Sequence, residues 1–104
     1  MSEKAENSKN IGESVTKMRD EYNQILKSVF YENLISVRNE NNYTQAYMAD
    51  LLMMDLRSYV ELDHGNNSCS ALTFALFLIY CCAEPVTFLN ILKIEFETYA
   101  KRGA

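Results

Sequence analysis

Three glycines and one proline are all the turn-forming backbone that this 104-residue chain carries. Sandwiches and barrels reverse direction at every strand and need such residues in quantity, so helices joined by short loops are expected. The length provides one domain with one modest core. Hydrophobic residues make up 48% of the chain and charged residues 23%, the balance of a globular protein rather than a disordered one.

The opening stretch "MSEKAENSKNIGES" is polar and has no apolar run of the kind a secretory signal needs. Residues 1–18 therefore read as a flexible N-terminal arm, in which Lys4, Lys9 and Lys17 alternate with Glu3, Glu6 and Glu13. Residues 19–104 read as the folded domain. From Asp20, the apolar residues Tyr22, Ile25, Leu26, Val29, Phe30, Leu34 and Val37 recur at steps of three and four, the period of an amphipathic helix. That helix is expected to fade at "NENN", residues 39–42, because Asn is a poor helix former and a common terminator.

Thr44 stands as the N-cap of a short second helix with Met48, Ala49, Leu51 and Leu52 on its apolar side. Asp55 caps a third helix carrying Tyr59 and Leu62, and Gly65 suits the left-handed position just past its end. Ser70 caps a fourth helix, 71–83, that is apolar nearly all round and should be buried on most sides. Its 13 residues fall short of the roughly 20 that span a bilayer, so a core helix in a cytoplasmic protein is expected. Pro85 fits the first turn of a last helix ending near Arg102, with a stripe of Val86, Leu89, Leu92 or Lys93, Phe96 and Tyr99. The fold class is all-α, five helices, with long first and last members.

Cys69, Cys81 and Cys82 are an odd number of thiols, two of them adjacent in an apolar run, which is no disulfide framework. A zinc site from these and His64 lacks C-x-x-C spacing, and neighbouring residues point about 100° apart on a helix. Buried small hydrophobes is the simpler reading, and no cofactor is expected.

Two short helices across a tight connection suggest a helix-turn-helix. From Leu34 to about Leu78 the chain resembles the Cro and phage-repressor (XRE-type) family, without a gap from Tyr43 to Phe77. Thr44-Gln45 matches the pair that opens the family's second helix, Ala49 its small packing residue, Leu52 and Met54 its aliphatic positions, and Asp55 its recognition-helix cap. Tyr59 and Leu62 match the buried positions, Asp63-His64-Gly65 the acidic-x-Gly ending, and Ser70, Thr73, Phe74 and Phe77 the start of the fourth helix. The chain departs from the family at Met53, where Gly is usual, at Leu56, where Arg or Gln often faces bases, and at Glu61, where Arg, Gln or Lys is common. The resemblance implies a DNA-binding transcriptional regulator acting as a repressor, with a recognition helix over about 56–63. The expected core is Leu34, Met48, Ala49, Leu52, Tyr59, Leu62, Phe74 and Phe77.

Charge argues the other way. Between Leu34 and Gly65, Arg38 and Arg57 stand against Glu40, Asp50, Asp55, Glu61 and Asp63, and nonspecific affinity comes mainly from neutralised phosphates. The expected contacts are Arg57 to a guanine, Leu56 to a thymine methyl, Glu61 to a cytosine amino group, and Gln45 to a phosphate. Ser58, His64, Asn66 and Asn67 are neutral donors beside them. For each the plain alternative is a solvated surface side chain. Apolar surface left over in residues 71–102 predicts a homodimer through that region. One His, no Gly-rich phosphate loop and no nucleophile–base pair at a recognisable spacing argue against an enzyme. The rival to DNA binding is a helix-turn-helix scaffold that binds a protein partner.

Overall fold

The computed structural model describes the backbone of residues 2–66 and 69–103 and the side chains of residues 14–66 and 69–102. Among the described residues five α-helices follow one another: α1 (Ser2–Asn41), α2 (Gln45–Leu51), α3 (Leu56–Asp63), α4 (Ala71–Leu76) and α5 (Pro85–Gly103). There is no strand among the described residues. α4 runs directly into a π-helical turn, Phe77–Cys81.

The helix expected from Asp20 already begins at Ser2, so α1 takes in the backbone of the expected arm from residue 2 onward. Residues 1–18 include three Glu, three Lys and one Ala, all good helix formers, and no Pro. Once the packed part of α1 has formed, extension outward needs no new nucleus. From Ser14 to Gln24 only Tyr22 is more than superficially covered, and Val15 and Met18 are exposed.

Local chemistry sets the helix ends. Thr44, Asp55 and Ser70 accept from the amides of Tyr47, Ser58 and Thr73 at 3.0, 3.1 and 3.2 Å, each satisfying a donor the helix leaves unpaired. α1, α2 and α3 close in one pattern, a left-handed residue flanked by two backbone bonds to the last turn. The left-handed residues are Asn42 (φ 55), Met53 (φ 55) and Gly65 (φ 75). The paired bonds run from Asn42 and Tyr43 to Asn39 and Arg38, from Met53 and Met54 to Asp50 and Ala49, and from Gly65 and Asn66 to Leu62 and Glu61. Asn42 and Gly65 suit that conformation; Met53 does not, since a Cβ there crowds the backbone.

The core joins Phe30 and Leu34 of α1 to Met48, Ala49, Leu52, Tyr59, Leu62, Phe77, Phe88 and Leu92, all buried. Seven of the eight expected core residues are among them. The eighth, Phe74, is half-buried, its ring 6.1 Å from Phe30 and 5.8 Å from Phe88. Phe88 also meets Phe77 at 5.7 Å, while Tyr22 meets Phe96 at 4.9 Å and Tyr99 at 5.4 Å. α5 therefore runs back along α1 in the opposite direction. Its inner face is Phe88, Leu92, Phe96 and Tyr99. Leu92, Phe96 and Tyr99 belong to the expected stripe, but its first two members, Val86 and Leu89, point outward and are exposed. Rotating α5 this way brings Phe88 into the ring cluster, which buries more apolar area than Leu89 would.

The fourth helix also differs from expectation. The Cys82 amide donates to the Phe77 carbonyl at 2.9 Å, a bond spanning five residues, and Cys82 leaves the helix with φ −91 and ψ 120. Pro85 has no amide to donate to the Cys81 carbonyl and its ring would clash there, so the helix cannot run on through it, and it ends at Cys81, short of the expected 83. Nor is this helix covered on most sides: Leu72, Ile79 and Tyr80 are 64–67% exposed. No helix among the described residues is long and apolar enough to cross a membrane.

Candidate nucleic-acid interface

α3 owes its orientation to one carboxylate. Asp63 is buried at its last turn and receives three donors, one from each of the first three helices. Arg38 Nε of α1 donates to Oδ1 at 3.0 Å, Gln45 Nε2 of α2 donates to Oδ2 at 3.1 Å, and Tyr59 Oη of α3 donates to Oδ1 at 2.9 Å. A buried carboxylate is tolerated only when paired and hydrogen-bonded, and here it is both. Burial, followed by the bond to Asp63, pushes the Tyr59 phenol well above the usual tyrosine range, so it stays a donor. α2 and α3 are thereby clamped at a fixed angle across Leu52–Asp55.

With Tyr59, Leu62 and Asp63 inward, α3 turns Leu56, Arg57, Ser58 and Glu61 outward, all exposed. Arg57 has no hydrogen bond or ion pair among the described residues. Ser58 is partly committed: its hydroxyl donates to Asp55 Oδ1 at 2.7 Å, and its amide donates to Oδ2. These bonds, the hydroxyl's first, hold the Asp55 carboxyl below its ordinary value, so the cap is ionised. Glu61 accepts from Asn66 Nδ2 at 3.1 Å, so these two residues, expected to act separately, face one another. His64 is exposed at the end of α3. Asn67 lies outside the described residues.

Gln45 departs from its expected role. Its amide is turned inward to Asp63 instead of outward to a phosphate, because a half-buried Gln beside an anion gains more from a charge-assisted bond than from water. Arg38 is likewise absorbed by Asp63, which leaves Arg57 as the cation between Leu34 and Gly65 that has no partner among the described residues.

The chain matches no protein-family model, no curated protein and no solved structure.

Two features of this surface went unnoticed in the sequence. Lys27 of α1 reaches the end of α3, where its ammonium donates to the Asn66 carbonyl at 3.5 Å; the spacing of α1 marks Lys27 as outside the stripe but not as a neighbour of residue 66. Tyr47, Met53 and Leu56 are all exposed around the α2–α3 connection, and the Tyr47 ring rests on Tyr43 with centroids 4.6 Å apart. Among the described residues no group of three or more His, Cys, Asp or Glu side chains is placed to hold a metal. Burial raises the Cys69 and Cys81 thiols, so both remain protonated and poorly nucleophilic at neutral pH.

Proposed function

We propose that this protein is a sequence-specific DNA-binding regulator of transcription, a cytoplasmic repressor built on a helix-turn-helix, with α3 as its recognition helix. The observation that carries the reading is the outward row of Leu56, Arg57 and Glu61 on a helix whose opposite face is pinned by Tyr59, Leu62 and Asp63. A short rigid helix offering its first turn outward is what major-groove readout requires. The α2–α3 turn supports it as well: Met53 adopts the left-handed backbone that glycine readily takes.

One α3 with a single free Arg is a weak reader, and a dimer doubles its contacts. Seven large apolar residues exposed between positions 71 and 102 (Leu72, Ile79, Tyr80, Val86, Leu89, Ile91 and Ile94) support a homodimer through α4, the π turn and α5. Selection of genomic fragments with the purified protein at low salt tests the reading, starting from the promoter of its own operon. Enrichment of one sequence with two half-sites is expected, and no enrichment overturns it.

A second reading has its own support. Tyr47, Met53 and Leu56 are exposed beside the acids Asp50 and Asp55, a surface that suits a protein partner better than phosphates. Capture of a protein in place of DNA, abolished by Met53→Ser and Leu56→Ser, would favour it.

A further inference from the structure

Between α1 and the end of α3 lies an open pocket of about 420 Å³, lined by Gln24, Lys27, Ser28, Tyr31, His64 and Gly65. Every polar side chain in that lining carries a donor, and none is a carboxylate. The Lys27 ammonium touches only the neutral Asn66 carbonyl, at the long distance of 3.5 Å, and has no acid within ion-pair reach among the described residues. Glu61, which shares Asn66 as a neighbour, is occupied by the Asn66 side-chain amide. Gly65 makes part of the pocket's wall: its φ of 75 suits glycine, and a Cβ there would lie 3.3 Å from the Tyr31 ring, a close fit between the end of α3 and α1.

From this pocket we infer a phosphate-binding site. Lys27 supplies the charge; Gln24, Ser28 and His64 supply further donors from two elements, a spread that suits a tetrahedral oxyanion. The site follows directly on the exposed face of α3, so in a DNA complex it takes a backbone phosphodiester beside the groove. That assignment of source rests on the DNA reading above; the pocket itself does not. It also answers the charge deficit of residues 34–65, because the cation is supplied from α1, outside that stretch.

The probe is inorganic phosphate, titrated at constant ionic strength into the isotope-labelled full chain, with chloride as the control. Saturable shifts of the Gly65 amide and the His64 ring are expected, lost in Lys27→Gln and kept in Lys27→Arg. Gln24→Glu, an exposed position that will not disturb folding, should abolish them by placing a carboxylate in the pocket. No saturable shift, or the same shift in Lys27→Gln as in the parent, overturns the site. Duplex binding then separates the sources. If the site holds a phosphodiester, Lys27→Gln flattens the slope of log affinity against log salt by about 0.9 per chain. An unchanged slope with phosphate shifts intact assigns the pocket to a free phosphate or phosphomonoester. Phosphate shifts in a protein that binds no duplex would leave the site standing and remove the DNA reading.

Discussion

The Tyr59 hydroxyl and the Asp63 carboxylate, one turn apart on α3, are joined by a 2.9 Å hydrogen bond inside the core. Tyr59 is fully buried and Asp63 nearly so, and the same carboxylate oxygen also takes the Arg38 Nε–H. Removing either end therefore strands a polar group where water does not reach.

Asp63→Ala leaves the Tyr59 hydroxyl without its acceptor and Arg38 without its anion. Breaking a buried pair costs about 3–5 kcal/mol; because the Arg38 side chain is 26% exposed, about 2–4 kcal/mol is expected. Tyr59→Phe, which leaves Asp63 two donors, should cost only about 1 kcal/mol. Urea denaturation checks both, as a fall in midpoint at unchanged slope.

The bond also predicts a pH dependence. A phenol whose folded value is raised gives stability that is intact below the unfolded value, near 10, and is lost as pH climbs toward the folded one. Stability should thus decline above about pH 10. One of the seven tyrosines should then develop its phenolate absorbance only as the helical signal disappears. A Tyr59→Phe protein that declines with the same alkaline profile would contradict this.

Two left-handed positions should respond in opposite directions. Met53→Gly relieves a backbone that costs a side-chain-bearing residue about 1–2 kcal/mol. The methionine is 79% exposed, so little burial is lost. After the entropy of the added glycine, a gain of about 0.5–1 kcal/mol remains. Gly65→Ala should lose about 1–2 kcal/mol, from its φ of 75 and from the Tyr31 ring. Thermal midpoints of the two proteins should straddle that of the parent.

Arg57→Ala tests the reading of α3. A bidentate contact to guanine is worth about 1–3 kcal/mol of discrimination, so specific affinity should fall about 5- to 150-fold, with little change on random duplex. An enriched site bound equally well by this variant would pass the function to the protein-partner reading. Gln45→Ala, by contrast, should act chiefly on stability, because the Gln45 amide serves Asp63.

Self-association should depend on the outer side of the π turn. Ile79 and Tyr80 are exposed in the protomer, so Ile79→Glu should leave the fold intact and yield a monomer of about 12 kDa in sedimentation at concentrations where the parent is a dimer. A parent that is itself monomeric would refute the dimer.

Much of this was legible in the chain because it is local. Thr44, Asp55 and Ser70 cap their helices, and Gly65 takes a left-handed backbone, as their side chains or lack of one dictate within three or four residues. The three-and-four spacing marked the core correctly in α1 to α3. On α5 it marked Leu92, Phe96 and Tyr99 but missed the first turn, where Val86 and Leu89 fit the period as well as Phe88 does and only contact with the rings of Phe74 and Phe77 decides. Side-chain pairing was the other blind spot. Gln45 reaches Asp63 across 18 residues and Lys27 reaches Asn66 across 39, and no spacing rule announces such partners.

α2 and α3 have seven and eight residues, well short of the roughly 12–15 at which an isolated helix becomes even marginal in water. Neither therefore has a folded existence apart from α1, and the Asp63 carboxylate is where their dependence is concentrated. Their amide protons should exchange with solvent through one shared opening, at one common rate-limiting free energy. A molecule that pulled α2 away from Asp63 would not bend this unit; it would unfold it, and the surface that α3 presents would vanish in a single step.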